Sequence, residues 1–426
     1  MNYRESCEYL LSLGNEVTAM KLGLESMKRL LSELGDPQNN YLKVQVAGTN
    51  GKGSVCAFLE AICLSANLKI GVTTSPHLVF ITERVRVNGK QITESNFASL
   101  ATHVRTAAER LVVTGELETV PTYFEQVTAV ALVAFADANV ELAILETGLG
   151  GRLDATTAAN AEIAVITRID LDHQQYLGDT IRQIAAEKAA IIHPESFVVI
   201  GEQLDEAMQV ILDRCAEFGI EPRLAKDVQV TVNENGFEFR STCNTYRSVK
   251  LGLLGAHQVE NATTAIVTAE VIGESFHIGQ HEIERGLGDA AHPGRLEYSG
   301  RYLFDGAHNV GGAKALRKFL DREINRPLTI IFGAMNDKDV ADISKILFPI
   351  AKELILTQPA NSRAAKPDEI ARIALNEVAE QNIHKTHSVA QALMLADKLS
   401  DPESVVLVTG SLYLVGEVKQ LLNRMD

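Results

Sequence analysis

Four short runs rich in aliphatic and β-branched residues, 44–48 (VQVAG), 142–147 (LAILET), 163–169 (IAVITRI) and 197–201 (FVVIG), lack the sustained polar/apolar alternation of a strand with one wet face. Strands without it are covered on both sides, as in a parallel sheet. Between the runs lie helix-period patterns over 96–114, 122–138 and 181–192. Such strand–helix alternation leaves little choice beyond an α/β fold with helices on both faces and right-handed crossovers. The segment 228–240 (VQVTVNENGFEFR) reads differently, because alternating residues flank Asn-Glu-Asn-Gly and predict a hairpin at the edge of this domain.

Glycine and proline gather in 288–300 (GDAAHPGRLEYSG), and a second strand–helix alternation follows through YLFDGAH, LTIIFGA, ELILTQ and VVLVTG. A chain of 426 residues exceeds what one hydrophobic core usually serves. The expected organisation is therefore a mostly parallel sheet domain carrying a phosphate-binding loop over 1–294, and a smaller Rossmann-like, doubly wound domain over 295–426. The five cysteines (Cys7, Cys56, Cys63, Cys215, Cys243) are widely scattered and form no C-x-x-C pair, so neither a disulfide framework nor a zinc site is suggested, which fits a reducing cytoplasm. No basic-then-apolar leader and no apolar run of roughly 18 residues is present, so no membrane partner is expected. With 55 acidic against 40 basic residues the net charge is −15, which argues against a nucleic-acid partner. A monomer is expected.

Gly48, Thr49, Asn50, Gly51, Lys52, Gly53 and Ser54 join the first strand to a helix. Glycines there let backbone N–H groups converge on phosphate oxygens, Lys52 neutralises them, and the Ser54 hydroxyl suits Mg²⁺. The common form places Ser or Thr directly after the lysine, whereas here Gly53 intervenes. A glycine-rich turn with a surface lysine is the plainer alternative. Glu146 ends an apolar strand, where ligands of open α/β sheets bind, and is a hard oxygen donor for Mg²⁺. It also suits a turn cap, although Gly148, Gly150 and Gly151 after it imply close backbone approach. His173 ends another strand-like run, and on spacing alone a structural histidine is the commoner reading. Lys188 lies among alanines, where burial would desolvate its amine; an ordinary exposed helix lysine fits the pattern equally.

From the GTNGKGS loop onward the chain resembles the folylpolyglutamate synthases and dihydrofolate synthases of the Mur ligase superfamily. Nine further stretches carry the likeness in order: TSPHL (74–78), ERVRVNG (83–89), TYFE (122–125), ETGLGGRLDAT (146–156), DLDH (170–173), EKAAII (187–192), GAHQVENA (255–262), HPGRLE (292–297) and DGAHN (305–309). The resemblance implies ATP and two Mg²⁺ ions, with Ser54, Ser75, Glu146 and His173 as metal ligands and a carbamylated Lys188 helping to hold the second ion. It implies nucleotide contacts from the loop with Lys52, from Asn261 near the adenine, from Arg295 on the phosphates, and from Asp305 and His308. Lys52, Lys188, His173 and Glu146 would carry the catalysis, and closure about 288–300 would assemble the site. Arg84, Thr122, Phe124 and Asp154 would face the substrate, Phe124 as a flat surface for a pterin and Asp154 toward its amino-pyrimidine edge.

The implied reaction moves the ATP γ-phosphoryl to a substrate carboxylate, and the acyl phosphate then meets the amine of L-glutamate. Cell-wall members of the superfamily carry a UDP-sugar domain before the loop, and with 47 residues ahead of Gly48 none is expected here. Those residues include a helical lead over 12–35. Dihydropteroate and reduced folates are the expected acceptors, both on one protein. A glutamate-extending enzyme alone, another P-loop carboxylate–amine ligase, a P-loop kinase or ATPase, and a silent nucleotide-binding regulator are the alternatives.

Overall fold

The computed structural model describes residues 1–14 and 23–423. It comprises two compact units: Met1–His77, Ile81–Gly252 and Glu260–Ala291 form the first, and Leu78–Phe80, Leu253–Val259 and His292–Asp426 the second. Two short segments from earlier in the chain thus belong with its last third.

The first unit is built on eight strands: β1 (Leu42–Ala47), β2 (Ile70–Thr73), β3 (Val85–Val87), β4 (Lys90–Gln91), β5 (Leu142–Glu146), β6 (Ile163–Ile166), β7 (Phe197–Ile200) and β8 (Arg223–Leu224). Their order is β4-β3-β2-β5-β1-β6-β7-β8. The span from β2 to β8 is parallel, whereas β3, within ERVRVNG, and β4, just after it, add an antiparallel flap. That flap turns through Asn88 and Gly89 in left-handed backbone, which asparagine and glycine adopt at least cost. Val46 stands level with Glu146 and with Val165, so the three central strands end within one residue of one another.

The helices begin where the sequence supplies caps. Thr122 and Glu125 close a reciprocal capping box at the start of Tyr123–Asp137, and Thr180 with Gln183 does the same for Ile181–Ala189. Tyr123–Asp137 is apolar nearly all round because it is a core helix. Its Val127, Val130, Leu132 and Phe135 are buried, each contributing about 1.5–3 kcal/mol. Helix Lys52–Ser65 packs against Gln280–Asp289 so closely that a Cβ on Gly286 would lie 2.4 Å from the Ile62 Cα. The helical lead expected over 12–35 is present in part, as Glu25–Glu33, and its residues 15–22 lie outside those described.

The predicted hairpin forms from β9 (Gln229–Asn233) and β10 (Gly236–Arg240), but with β11 (Thr245–Val249) it makes its own antiparallel sheet. Every residue of β9 is exposed, and a strand wet along its whole length has no place in a sheet covered on both faces.

The second unit carries β12 (Glu297–Ser299), β13 (Tyr302–Phe304), β14 (Leu328–Phe332), β15 (Glu353–Leu356), β16 (Ile383–Lys385) and β17 (Val405–Thr409), in the order β12-β13-β17-β14-β15-β16. All pairings but the β12–β13 edge are parallel, and β13, β14 and β17 are buried throughout. This is the doubly wound arrangement that the second alternation predicts. Among the described residues no helix is long and apolar enough to cross a membrane.

Candidate active site

Between β1 and helix Lys52–Ser65, glycine is required twice. Gly48 and Gly51 have φ of 154° and 90°; a Cβ on Gly48 would fall 1.9 Å from the Thr167 Oγ1, and one on Gly51 2.3 Å from the Asn261 Oδ1. Asn261 therefore sits against the loop backbone itself. The Thr49 and Asn50 N–H groups both donate to the Arg168 carbonyl (2.8 and 3.0 Å), while the Asn50 amide reaches the Asp170 carboxylate at 2.8 Å. These bonds clamp the first half of the loop onto the segment after β6. The second half opens the helix, whose first-turn N–H groups point out along its axis and carry the positive end of the helix dipole. An anion is the natural acceptor for them.

Two lysines meet on one oxygen beneath this loop. Lys52 Nζ donates to the Gly48 carbonyl at 3.0 Å, and Lys188 Nζ donates to the same oxygen at 2.8 Å. Lys188 is 5% exposed, which eliminates the surface-lysine alternative. Burial above all, and then the charge of Lys52, pull its pKa down to about 7, with Asp172, Asp154 and Glu187 opposing. The glycine-rich stretch after Glu146 packs on this helix end. A Cβ on Gly151 would lie 2.6 Å from the Glu187 carbonyl, and Arg152 N–H donates to that carbonyl at 2.9 Å.

Glu146 closes β5, nearly buried, and its Oε2 accepts from the Ser75 N–H at 3.1 Å. Cys56, on the helix that Lys52 opens, feels the charges of Glu146, Arg86, Glu60 and Lys52, which places the carboxylate in the neighbourhood of the loop helix. His173 adopts left-handed backbone (φ 50°, ψ 37°) ahead of the short helix Gln174–Leu177. Non-glycine residues in that region cost about 1–3 kcal/mol and concentrate at functional sites. Its N–H donates to the Asp172 carboxylate at 2.8 Å. Asp172 went unrecognised in the sequence, although it is the second acid of DLDH. Among the described residues no three His, Cys, Asp or Glu side chains form a ready cation cage. One carboxylate with serine hydroxyls nevertheless suits Mg²⁺, which keeps several waters and takes phosphate oxygens as ligands.

The four expected substrate residues differ in what occupies them. Thr122 caps its helix, accepting from Glu125 N–H at 3.3 Å. Asp154 is buried and accepts four bonds, from the N–H groups of Gly148, Leu149 and Thr156 (2.9, 2.9 and 3.0 Å) and the Thr156 hydroxyl (2.5 Å). Its carboxylate is committed to holding the loop after Glu146, so an amino-pyrimidine edge would compete with four internal donors. Arg84 is buried, donating from Nε to the His77 Nδ1 at 2.8 Å with its guanidinium 5.6 Å from the centre of the Tyr123 ring. Burial, and then Arg84, hold His77 neutral with a pKa of about 3.

Phe124 lies against the backbone of Gly148, where a Cβ would fall 2.5 Å from its ring. Gly148→Ala is expected to lose about 1–3 kcal/mol through this overpacking, with Phe124→Leu restoring part of it in the double variant. Denaturant unfolding of the two singles and the double checks this, and additive losses would refute it.

In the second unit, Asp305 is buried and accepts from the N–H groups of Leu296 (3.0 Å) and Ala307 (2.9 Å). Burial raises its pKa against the opposing pull of Arg295 and those N–H groups. Like Asp154, it holds its own loop. His308 Nδ1 lies 2.8 Å from the Gly306 carbonyl, a contact that requires the proton on Nδ1. Arg295 approaches Gly306, where a Cβ would be 3.3 Å from its Nη1. His257, which pattern reading passed over, is kept neutral with a pKa of about 4 by burial and then by Arg295. Its signal was the GAHQVENA stretch.

Residues 46–269 match the Mur ligase middle domain, and residues 294–412 match the Mur ligase glutamate ligase domain. With the loop, its lysines and the doubly wound second unit, this defines a Mur-type ligase. The chain belongs to the dihydrofolate synthase/folylpolyglutamate synthase family. It is 32% identical to the dihydrofolate synthase/folylpolyglutamate synthase of Bacillus subtilis over 95% of each chain. It is 33% identical over its full length to a probable bifunctional folylpolyglutamate synthase/dihydropteroate synthase of Haloferax volcanii, of whose length it spans 51%. A bifunctional folylpolyglutamate synthase/dihydrofolate synthase solved with Mn, AMPPNP and L-glutamate bound superposes with a TM-score of 0.86 at 30% identity, covering 99% of this chain and 98% of that one.

Proposed function

We propose that this chain is an ATP-dependent ligase that adds L-glutamate to dihydropteroate, forming dihydrofolate, and to the glutamate tail of reduced folates. The observation that carries the reading is the convergence of the Lys52 and Lys188 amines on the Gly48 carbonyl, at the mouth of a helix N-terminus. Lys52 and the first-turn N–H groups hold the nucleotide phosphates. The γ-phosphoryl passes to the acceptor carboxylate, releasing ADP, and the glutamate amine then attacks the acyl phosphate and expels phosphate. Positioning and charge neutralisation supply the catalysis, with no covalent nucleophile on the protein.

Ser54, Ser75, Glu146 and His173 are the residues that would hold Mg²⁺, which when bound neutralises charge on the transferring phosphoryl. The Lys188 amine, partly neutral near pH 7, adds to CO₂ with loss of one proton to give a carbamate. A carboxylate-like group is thereby created beneath the loop. Electron density or a ¹³C resonance beyond Nζ in bicarbonate tests it. In the second unit, Arg295 and His308 contact nucleotide while Asp305 orders their loop.

The test is purified protein with ATP, Mg²⁺ and L-glutamate, given dihydropteroate or tetrahydrofolate in parallel, following ADP release and product mass. Turnover of both acceptors is expected. Turnover of tetrahydrofolate alone would leave a glutamate-extending enzyme, and turnover of neither by folded, ATP-binding protein would remove the folate reading.

A further inference from the structure

Behind the Ser75–Glu146 contact stands an ion pair that no step of the reaction uses. Arg86, on the antiparallel flap, donates from Nε to both oxygens of Glu60 (3.0 and 3.1 Å) and from Nη2 to Oε2 (2.7 Å). The pair is largely buried, with side-chain exposures of 22% and 12%. Its other nitrogen is aimed elsewhere: Nη1 reaches the Thr74 hydroxyl at 3.3 Å. Thr74 also donates its N–H to the Arg84 carbonyl at 3.2 Å, and its neighbour Ser75 donates to Glu146 at 3.1 Å. Glu60 lies two turns along the helix that Lys52 opens. An unbroken chain of contacts therefore runs from the phosphate-loop helix, through Glu60, Arg86 and Thr74, to Ser75 and Glu146.

We propose that the Glu60–Arg86 pair is a positioning device for the metal-binding residues, fixing Thr74 and Ser75 and through them the rotamer of Glu146. Arginine suits the task because its planar fork spends one edge on the carboxylate and keeps a nitrogen for the threonine, which a lysine ammonium does not do with the same rigidity. The geometry also accounts for an acid on this helix: the Glu60 carboxylate is the hydrogen-bonded counter-charge of the largely buried Arg86 guanidinium. Partners that orient metal ligands typically govern 10–100-fold in metal affinity.

The inference rests on Glu146 being a metal ligand, and the experiment separates the two claims. Mn²⁺ binding to the full-length protein in the presence of ADP is measured by EPR for wild type, Glu146→Gln, Arg86→Lys and the double variant Glu60→Met/Arg86→Met, with thermal unfolding of each. The double variant removes both charges together, so it stays folded where a single deletion would strand a buried charge. About tenfold weaker Mn²⁺ binding is expected for Arg86→Lys and for the double variant, with ADP binding in the absence of Mn²⁺ unchanged. Wild-type Mn²⁺ affinity in the double variant, alongside weakened binding in Glu146→Gln, would overturn the positioning role alone. Undiminished binding in Glu146→Gln would overturn the metal assignment and the inference with it.

Discussion

Lys52→Ala is expected to lower kcat/KM for ATP by about 10³-fold while leaving the thermal unfolding midpoint within about 2 °C of wild type. The loss is large because a full positive charge, held where the first-turn N–H groups already converge, is removed from the path of the transferring phosphoryl. Neutral donors at comparable sites are worth roughly 10²–10³ each. The fold is spared because Lys52 is half-buried and its two bonds, to the Gly48 and Thr49 carbonyls at 3.0 and 3.3 Å, are local to the loop. Lys52→Arg should be nearly as inactive, since the wider guanidinium does not fit where an amine shares the Gly48 oxygen with Lys188. Steady-state kinetics with both acceptors, beside a melting curve, reads the two arms together. Activity within tenfold of wild type in Lys52→Ala would show that the loop does not grip the phosphates.

The same substitution reaches Lys188. Lys52 is the second cause, after burial, of the depressed Lys188 pKa, so removing it raises the proton affinity of the remaining amine. The coupling was invisible in the sequence. What the sequence does show is the strand–loop–helix unit at Gly48–Ser54, because glycine spacing and a buried strand are local signals. It also shows Glu146, because a carboxylate at the end of an apolar strand in an α/β pattern has one place to go. Lys188 lies 140 residues from Gly48, and nothing in EKAAII separates a buried from an exposed amine. Asp154 and Asp305 show a different limit of the sequence. Their motifs mark the right loops, but a motif does not say whether its acid faces a ligand or the loop's own N–H groups, and in both cases the bonds turn inward. Asn261, expected near an adenine, lies against Gly51, a contact set by helix packing rather than by any spacing. The β3–β4 flap was missed because ERVRVNG is short and charged. Its Arg86 is nonetheless buried, and only the partner Glu60, a helix away, makes that burial affordable.

Lys188→Met is expected to abolish ligation and yet to stabilise the ligand-free protein, by about 1–3 kcal/mol near pH 7. The sign follows from linkage. The folded-state pKa is about 7 against an ordinary 10.5, so between those values the unfolded chain binds a proton that the folded one has released. Wild-type stability therefore rises with pH through that window, is penalised in full below about pH 7 where the buried amine must be charged, and levels off above about 10.5. The methionine variant, with the same reach and no charge, lacks this term. Subtracting its denaturant unfolding free energy from that of wild type at about pH 6.5, 8 and 9.5 isolates Lys188 from every other titrating group. The deficit of wild type should shrink steadily as pH rises, and bicarbonate should shrink it further at about pH 8, because carbamate formation draws on the neutral amine of the folded state alone. The bicarbonate effect should weaken in Lys52→Ala, where fewer amines are neutral at a given pH. A wild-type-minus-variant difference that stays flat across this range would mean that Lys188 titrates like an exposed lysine, and the carbamate would lose its physical basis.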